Sequence, residues 1–377
     1  MIRLALKMLM QDRAKYFMLL SGLTFCSLLI TQQVSVFSGL MMWTTATVRN
    51  INAPVWVMDA KVERADDVIP MRDIEVGRVK SVSGVEWAVP LFYSINQARL
   101  SDGSFLAMQL VGLDQSSMMG RPGKMIAGNL EDLRLPDAVV IDQVGIEKLA
   151  KKGLKLEVGT TFEMNDKLAR VVGICEVSRS FLGQPYVYTT YDRALEYVPA
   201  QRKRMSYVLV GPAPGVSADT VAGRIGKLAG LRAVTGGDFF WQTMIWYVKN
   251  TGIPISFGTV VILGVFVGVA ISAQTFYLFV HENLRYLAAF KAMGARTSTL
   301  VAMVLAQSFT CGMIGYGLGV GIATFFGNTV LAKGQPPFWM TWQLLVFTGL
   351  VITVVCSVSA LIGLRKVVTL EAAVVFR

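Results

Sequence analysis

Four stretches of this 377-residue chain contain no Asp, Glu, Lys or Arg: Tyr16–Val48, Thr251–Val280, Thr297–Ala332 and Gly334–Leu364. A helix needs ~20 consecutive apolar residues to cross a bilayer core, so each stretch is long enough to span. Only 16% of the residues are charged, against about 25% in soluble domains, and the deficit is concentrated in these runs. Between the first and second lies 49–250, of ordinary polarity and about one domain in size. The expected fold is therefore an α-helical membrane protein with four transmembrane helices plus an α+β extracytoplasmic domain between helices 1 and 2.

The net charge of +11 divides unevenly: residues 49–250 hold 25 Lys/Arg against 22 Asp/Glu. The remaining excess flanks the apolar runs, which is a membrane signature and argues against a nucleic-acid partner. Arg3, Lys7, Arg13 and Lys15 precede the first run; Arg285, Lys291 and Arg296 lie between the second and third; Arg365, Lys366 and Arg377 follow the fourth. The connector after the third run has only Lys333. Because Lys and Arg concentrate in cytoplasmic loops, both termini and 281–297 are expected in the cytoplasm and the large domain outside.

Taken in order, 1–15 is expected as an amphipathic helix on the cytoplasmic membrane surface. Residues 16–48 form transmembrane helix 1 and a stalk, since a helix of that run would be ~50 Å long at 1.5 Å per residue, against a ~30 Å core. The extracytoplasmic domain takes 49–237. Hairpins are expected at Ser101-Asp102-Gly103 and Asn165-Asp166. Residues 238–280 form a second stalk and transmembrane helix 2. Trp241, Trp246 and Tyr247 sit there for an interfacial aromatic belt or for packing on the first stalk. Then come a cytoplasmic segment 281–297, transmembrane helix 3 at 298–332, an outer connector 333–341, transmembrane helix 4 at 342–364, and a cytoplasmic tail 365–377. Gly264 and Gly268, and likewise Gly315 and Gly319, are four apart, on one helix face each, where small residues let helices approach closely.

Much chemistry is absent. There is no GxxxxGK[ST] phosphate loop, HExxH, GxSxG or SxxK, no metal-ligand spacing, and no two of the four cysteines share a soluble region. The chain is expected to be no enzyme and to bind no cofactor itself. Charge-free spans lack the titratable groups of a proton relay. The sole histidine, His281, reads as a helix-end contact. What stands out instead is the short basic segment 281–297. Leu284, Leu287, Ala288, Lys291 and Ala292 share one helical face, and Gly294 is a natural stop. The segment reads either as a coupling helix on which a separate motor acts or as a simple reversal of the chain.

Glu282-Asn283-Leu284-Arg285-Tyr286-Leu287-Ala288, followed by Lys291-Ala292-Met293-Gly294-Ala295, resembles the E-R-x-x-E-I-G…A-x-G-A signature of MacB/FtsX-type ABC transporter permeases. The tail Leu370-Glu371-Ala372-Ala373-Val374-Val375-Phe376-Arg377 resembles their terminal L-[DE]-P-A-x-x-[FL]-R. Asn52-Ala53-Pro54-Val55-Trp56-Val57-Met58, Thr251-Gly252-Ile253-Pro254 and Gln274-Thr275-Phe276-Tyr277 make the DevC-like permeases the nearest match within that superfamily. Tyr286 stands where Glu is frequent, Ala288 where Gly is frequent, and Ala372 where Pro is usual. The resemblance implies a homodimeric permease in a bacterial inner membrane, with ATP and Mg held by a partner ABC ATPase. Mechanotransmission would drive the external domains, serving a periplasmic adaptor and an outer-membrane duct. The cargo class it suggests is a glycolipid or other amphiphile. It nominates Glu282, Arg285, Leu287, Lys291, Ala292, Gly294 and Ala295 for ATPase coupling, and leaves Gly264, Gly268, Gly315 and Gly319 to helix packing. A permease-like regulator of an external cell-wall hydrolase and a lipoprotein-releasing permease share these features. A membrane sensor without an ATPase would need a cytoplasmic signalling domain.

Overall fold

The computed structural model describes Met8, 13–199, 204–329 and 336–368. The expected amphipathic helix therefore lies outside the described residues except for Met8 and Arg13–Lys15, as do Lys333 and the tail motif from Leu370 onward. Two compact units are formed, one of 41–250 and one of 1–40 with 251–377. In chain order the elements begin α1 (Arg13–Thr44), α2 (Ala46–Ile51), β1 (Val55–Asp59), α3 (Ile74–Lys80), β2 (Val85–Arg99), β3 (Phe105–Leu113) and β4 (Lys124–Gly128). There follow β5 (Ala138–Asp142), α4 (Gln143–Ala150), β6 (Thr161–Met164), β7 (Lys167–Glu176), β8 (Tyr186–Thr190), α5 (Tyr191–Glu196), β9 (Tyr207–Pro212), α6 (Ala218–Ile225) and β10 (Leu231–Thr235). The chain continues through α7 (Gly236–Asn250), α8 (Ile253–Glu282), α9 (Leu284–Ala292), α10 (Thr297–Thr329) and α11 (Trp342–Val368).

In the 41–250 unit, β2 organises the sheet. Its first half, Val85–Leu91, pairs with β9, and its second half, Phe92–Arg99, pairs with β3. The pairings β2–β3–β8–β5–β7–β6 return to β2, because β6 bonds both β7 and β2. That closed ring encloses Phe92, Met108, Leu110, Val139, Ile141, Phe162, Val171 and Val187. The other arm, β10–β1–β9, extends from β2 as an open sheet. Strand β1 is apolar at successive positions because both its faces are covered: Val55 and Val57 pack with Val79, Val221 and Ile225 under α3 and α6, while Trp56 and Met58 enter a core with Tyr207 and Phe239. Both expected hairpins form. Gly103 takes φ +79° in the first; Asn165 and Asp166 take +51° and +58° in the second, a conformation these two side chains tolerate better than most.

The expected single stalk is broken. α1 stops at Thr44, and α2 restarts one residue later. The Thr44 and Thr45 hydroxyls donate back to the carbonyls of Met41 and Met42 at 2.7 and 3.1 Å, competing with the helical ladder as adjacent threonines do. α2 is then tied to its own domain: Thr47 Oγ1 lies 2.9 Å from the Tyr186 hydroxyl, and Asn50 exchanges two bonds with the Ser178 backbone at 2.8 and 2.9 Å. The aromatic residues of α7 are likewise engaged by the domain. Trp246 Nε1 donates to Glu63 Oε2 at 2.7 Å, the Tyr247 hydroxyl donates to Asp66 Oδ2 at 2.8 Å, and Arg64 lies 4.1 Å over the Trp246 ring. Of the three aromatics expected at a belt or against the first stalk, Trp241 alone stays largely exposed.

Asp142 closes β5 and caps α4, its Oδ1 accepting the Gly145 N–H at 3.2 Å. Its other oxygen is buried without a partner, and burial pushes the carboxyl up to about 7 from an ordinary 3.8. With its folded pKa above the unfolded one, its contribution to stability is full below pH 3.8 and is lost as pH rises through 7. Asp142→Asn keeps the capping oxygen and removes the charge. Thermal unfolding of the detergent-solubilised chain is expected to show the variant more stable than wild type at pH 8 and the gap closing towards pH 4, on about 1.4 kcal/mol per pKa unit. A gap that does not change with pH would refute this account.

The other unit packs α8, α9, α10, α11 and residues 13–40 of α1. Arg13–Thr44, Ile253–Glu282, Thr297–Thr329 and Trp342–Gly363 are each long and apolar enough to cross a membrane. Their shared core contains Leu19, Leu23, Cys26 and Ile30 of α1, Phe276 and Val280 of α8, Met303 and Cys311 of α10, and Ile352 and Cys356 of α11. The opposite faces carry exposed apolar side chains such as Ile262, Phe266, Met313 and Leu350, as lipid-facing surfaces do.

Candidate functional site

Two sets of residues nominated by the sequence fall in this helical unit. The first is the glycine set, and three of its four members make close contacts to α1. A Cβ on Gly315 would lie 2.9 Å from Leu23 Cβ and 3.1 Å from the Thr24 nitrogen; on Gly319 it would lie 2.6 Å from Ser27 Cβ and 2.7 Å from the Thr24 oxygen. On Gly268 it would lie 2.6 Å from Cys26 Sγ, and on Gly264 it would sit at an ordinary 3.6 Å from Leu29. Gly317 and Gly321, interleaved in the same helix, have open space instead. α1 is thus a central helix, with α8 and α10 both approaching it through glycine. Ser27 adds a bond, its hydroxyl donating to the Tyr316 carbonyl at 3.2 Å.

The second set is the segment between α8 and α10. Asn283 ends α8, its side chain donating to the Phe279 carbonyl at 2.8 Å, and its own carbonyl accepts Leu287 N–H at 3.0 Å to start α9. At the far end Ala295 N–H donates to the Phe290 carbonyl at 2.9 Å and Gly294 N–H to the Lys291 carbonyl at 3.1 Å. Gly294 takes φ +92°. This is the paired bonding of a Schellman stop, which needs a left-handed residue at that position. Ala295 packs against the helical core immediately after it. α9 is therefore a nine-residue helix held at both ends by its own backbone geometry.

The helix has two distinct faces. Leu287 and Ala288 are buried at 3% and 0% exposure, and Leu284 and Phe290 pack beside them against the helical core. Arg285, Tyr286, Ala292 and Met293 are exposed, Tyr286 at 64% and Met293 at 73%. Leu287, nominated for contact with a motor, instead anchors the helix. Ala292, placed on the same face as Leu287 by the sequence reading, faces outward. Lys291 is half-buried. Met293 carries the outward row on by one position, a signal readable only once the inward face is known.

Glu282 forms an ion pair with Lys15 at the beginning of α1, 267 residues away. Among the described residues no carboxylate pairs with Arg285. His281 and Tyr277 place their rings 6.2 Å apart on α8. The arrangement offers a stiff, anchored helix with one cationic and two large apolar-bodied side chains turned outward. Such a surface suits mechanical contact with another protein. Among the described residues no group of His, Cys, Asp and Glu could hold a metal ion.

Comparison with known proteins places these elements in context. A family model described as the MacB-like periplasmic core domain matches residues 19–228, and one described as the FtsX-like permease C-terminal domain matches residues 239–372. No protein of curated function matches the chain. Among solved structures, the periplasmic region of MacB from Actinobacillus actinomycetemcomitans is similar at 18% identity over 54% of this chain and 96% of that one, with a TM-score of 0.38. The extracellular domain of the noncanonic ABC-type transporter YknZ from Gram-positive bacteria is similar at 15% identity over 48% and 98%, with a TM-score of 0.36.

Proposed function

Because this chain belongs to the MacB/FtsX-type ABC transporter permeases, we propose that it is the membrane subunit of a tripartite exporter that works by mechanotransmission. Family membership itself brings a membrane location, an extracytoplasmic domain and an ABC ATPase partner. The finer reading is that two copies pair in a bacterial inner membrane with both termini in the cytoplasm. ATP and Mg belong to the separate ATPase. A periplasmic adaptor and an outer-membrane duct receive the cargo, an amphiphile such as a glycolipid.

The observation that carries this reading is the two-faced helix α9, with Leu287 and Ala288 buried and Arg285, Tyr286, Ala292 and Met293 turned outward. A helix that only reversed the chain would have no need of two apolar anchors and a complete Schellman stop. Held in this way, it moves as one body with the spans it joins. On this reading Arg285 supplies charge and Ala292 a close approach, while Glu282 acts through Lys15 and Lys291, Gly294 and Ala295 set the geometry. The absence of charge from all four apolar runs fits cargo that travels outside the spans.

Purification of the chain from its native membrane in mild detergent tests the reading. An ABC ATPase and an adaptor are expected to be retained with a dimer of the chain. A hydrolase in place of the adaptor would sink export in favour of regulation. Orientation is read from the same cells: a cysteine at Ser104 is expected to react with a thiol reagent that does not cross membranes, and one at Thr297 to stay unlabelled. The converse pattern would invert the topology.

A further inference from the structure

A cleft of about 740 Å³ opens in the extracytoplasmic domain beside α2, and its lining includes Arg49, Ile51, Met118, Arg121, Lys124 and Glu176. The volume falls within the range of small-molecule sites, ~300–1,000 Å³. Its charge is unbalanced. Lys124 Nζ donates to Glu176 Oε2 at 2.6 Å, which uses the lone carboxylate of the lining. Arg49 and Arg121 have no carboxylate partner among the described residues.

Arg49 is the unusual member. One of its terminal nitrogens donates to the Met42 carbonyl at 2.9 Å, while its Nε is buried with no acceptor. Burial also lowers its pKa. A desolvated cation with an unused N–H is costly unless an anion meets it. The rest of the wall is mixed: Met119 and Val177 are half-buried and apolar, beside the polar Asn52 and Ser117. The loop that presents Met119 is pinned by Asp114, whose Oδ2 accepts Ser117 N–H at 2.8 Å and the Ser116 hydroxyl at 2.6 Å. It turns through left-handed Met118 and Gly120, at φ +50° and +84°. Opposite it, the Asn50–Ser178 bonds hold α2 to the end of β7. The cleft thus has rigid walls, two guanidinium groups without a carboxylate partner among the described residues, and two half-buried apolar side chains.

We infer that this cleft binds an anionic amphiphile, its phosphate or carboxylate headgroup meeting Arg49 and Arg121 and its apolar part lying along Met119 and Val177. As a site for exported cargo it rests on the function proposed above; as a binding site it stands independently. Occupancy would also brace α2, because Arg49 and Asn50 belong to that helix.

The test uses the full chain in phosphatidylcholine nanodiscs, titrated by calorimetry with decyl phosphate, decanoate, decyl glucoside and inorganic phosphate, against empty nanodiscs. One saturable site per chain is expected for decyl phosphate or decanoate, and the tighter of the two identifies the headgroup. Arg121→Gln, at an exposed position, is expected to weaken that binding about tenfold, the effect of one lost charge-assisted hydrogen bond, and Arg49→Gln at least as much. Equal binding of decyl glucoside, equal competition by inorganic phosphate, or unchanged binding in Arg121→Gln would overturn the proposal. Loss of the export reading with binding intact would leave the site standing, without its role in cargo handling.

Discussion

Gly319→Leu is expected to disrupt the helical unit, whereas Gly317→Leu in the same helix is expected to be nearly neutral. A Cβ at 319 would sit 2.7 Å from the Thr24 carbonyl oxygen and 2.6 Å from Ser27 Cβ. The first of these is backbone, which cannot rotate aside, so α10 and α1 would have to separate. Overpacking of that kind costs about 1–3 kcal/mol and more where nothing can yield. Separation would also break the Ser27 bond to the Tyr316 carbonyl. At 317 a side chain meets nothing within 4 Å and points outward from the helical unit. Thermal unfolding of the two variants in detergent should differ by many degrees. Equal stabilities would mean that glycine is not what brings these two helices together.

Arg285→Glu and Ala292→Trp are expected to abolish export while leaving the chain folded and in the membrane. Both residues are exposed on α9, so neither change disturbs the anchoring face. Charge reversal at 285 replaces attraction by repulsion across a contact, an effect that can cost several kcal/mol where like charges meet. A tryptophan at 292 adds bulk where a small residue permits close approach. Leu287→Ala is the contrasting change. It leaves a cavity under the helix, at roughly 2–5 kcal/mol, and should lower thermal stability along with activity. Wild-type export from both Arg285→Glu and Ala292→Trp would remove α9 from the coupling mechanism.

Three kinds of feature were legible because each follows from local rules. Runs without charge define spans by length alone. Gly103 and the Asn165-Asp166 pair mark hairpins because those residues tolerate positive φ. Gly294 marks a helix stop for the same reason. Other elements escaped. Strand β8, Tyr186–Thr190, is buried at every position, yet its Tyr and Thr hydroxyls break the continuous apolar run that marks a buried strand. The break at Thr44–Thr45 depends on two hydroxyls turning back on their own helix rather than outward, and composition does not distinguish the two. The aromatic residues of α7 are compatible with lipid, with a second stalk or with a protein surface. Only the positions of Glu63, Arg64 and Asp66 select the last.

The site divides in the same way. The sequence alone determined that 281–297 is a short polar helix between two spans, ended at Gly294, and that glycines four apart mark close helix contacts. Those are consequences of charge, spacing and backbone freedom, which act within a few residues. Tertiary structure decided which face of that helix is buried, which glycines touch α1 and which face outward, and that Glu282 reaches Lys15. It also decided that Arg49, Arg121 and Met118, distant in sequence, line one cleft. Such facts depend on residues tens to hundreds of positions apart, brought together by packing that no local pattern encodes.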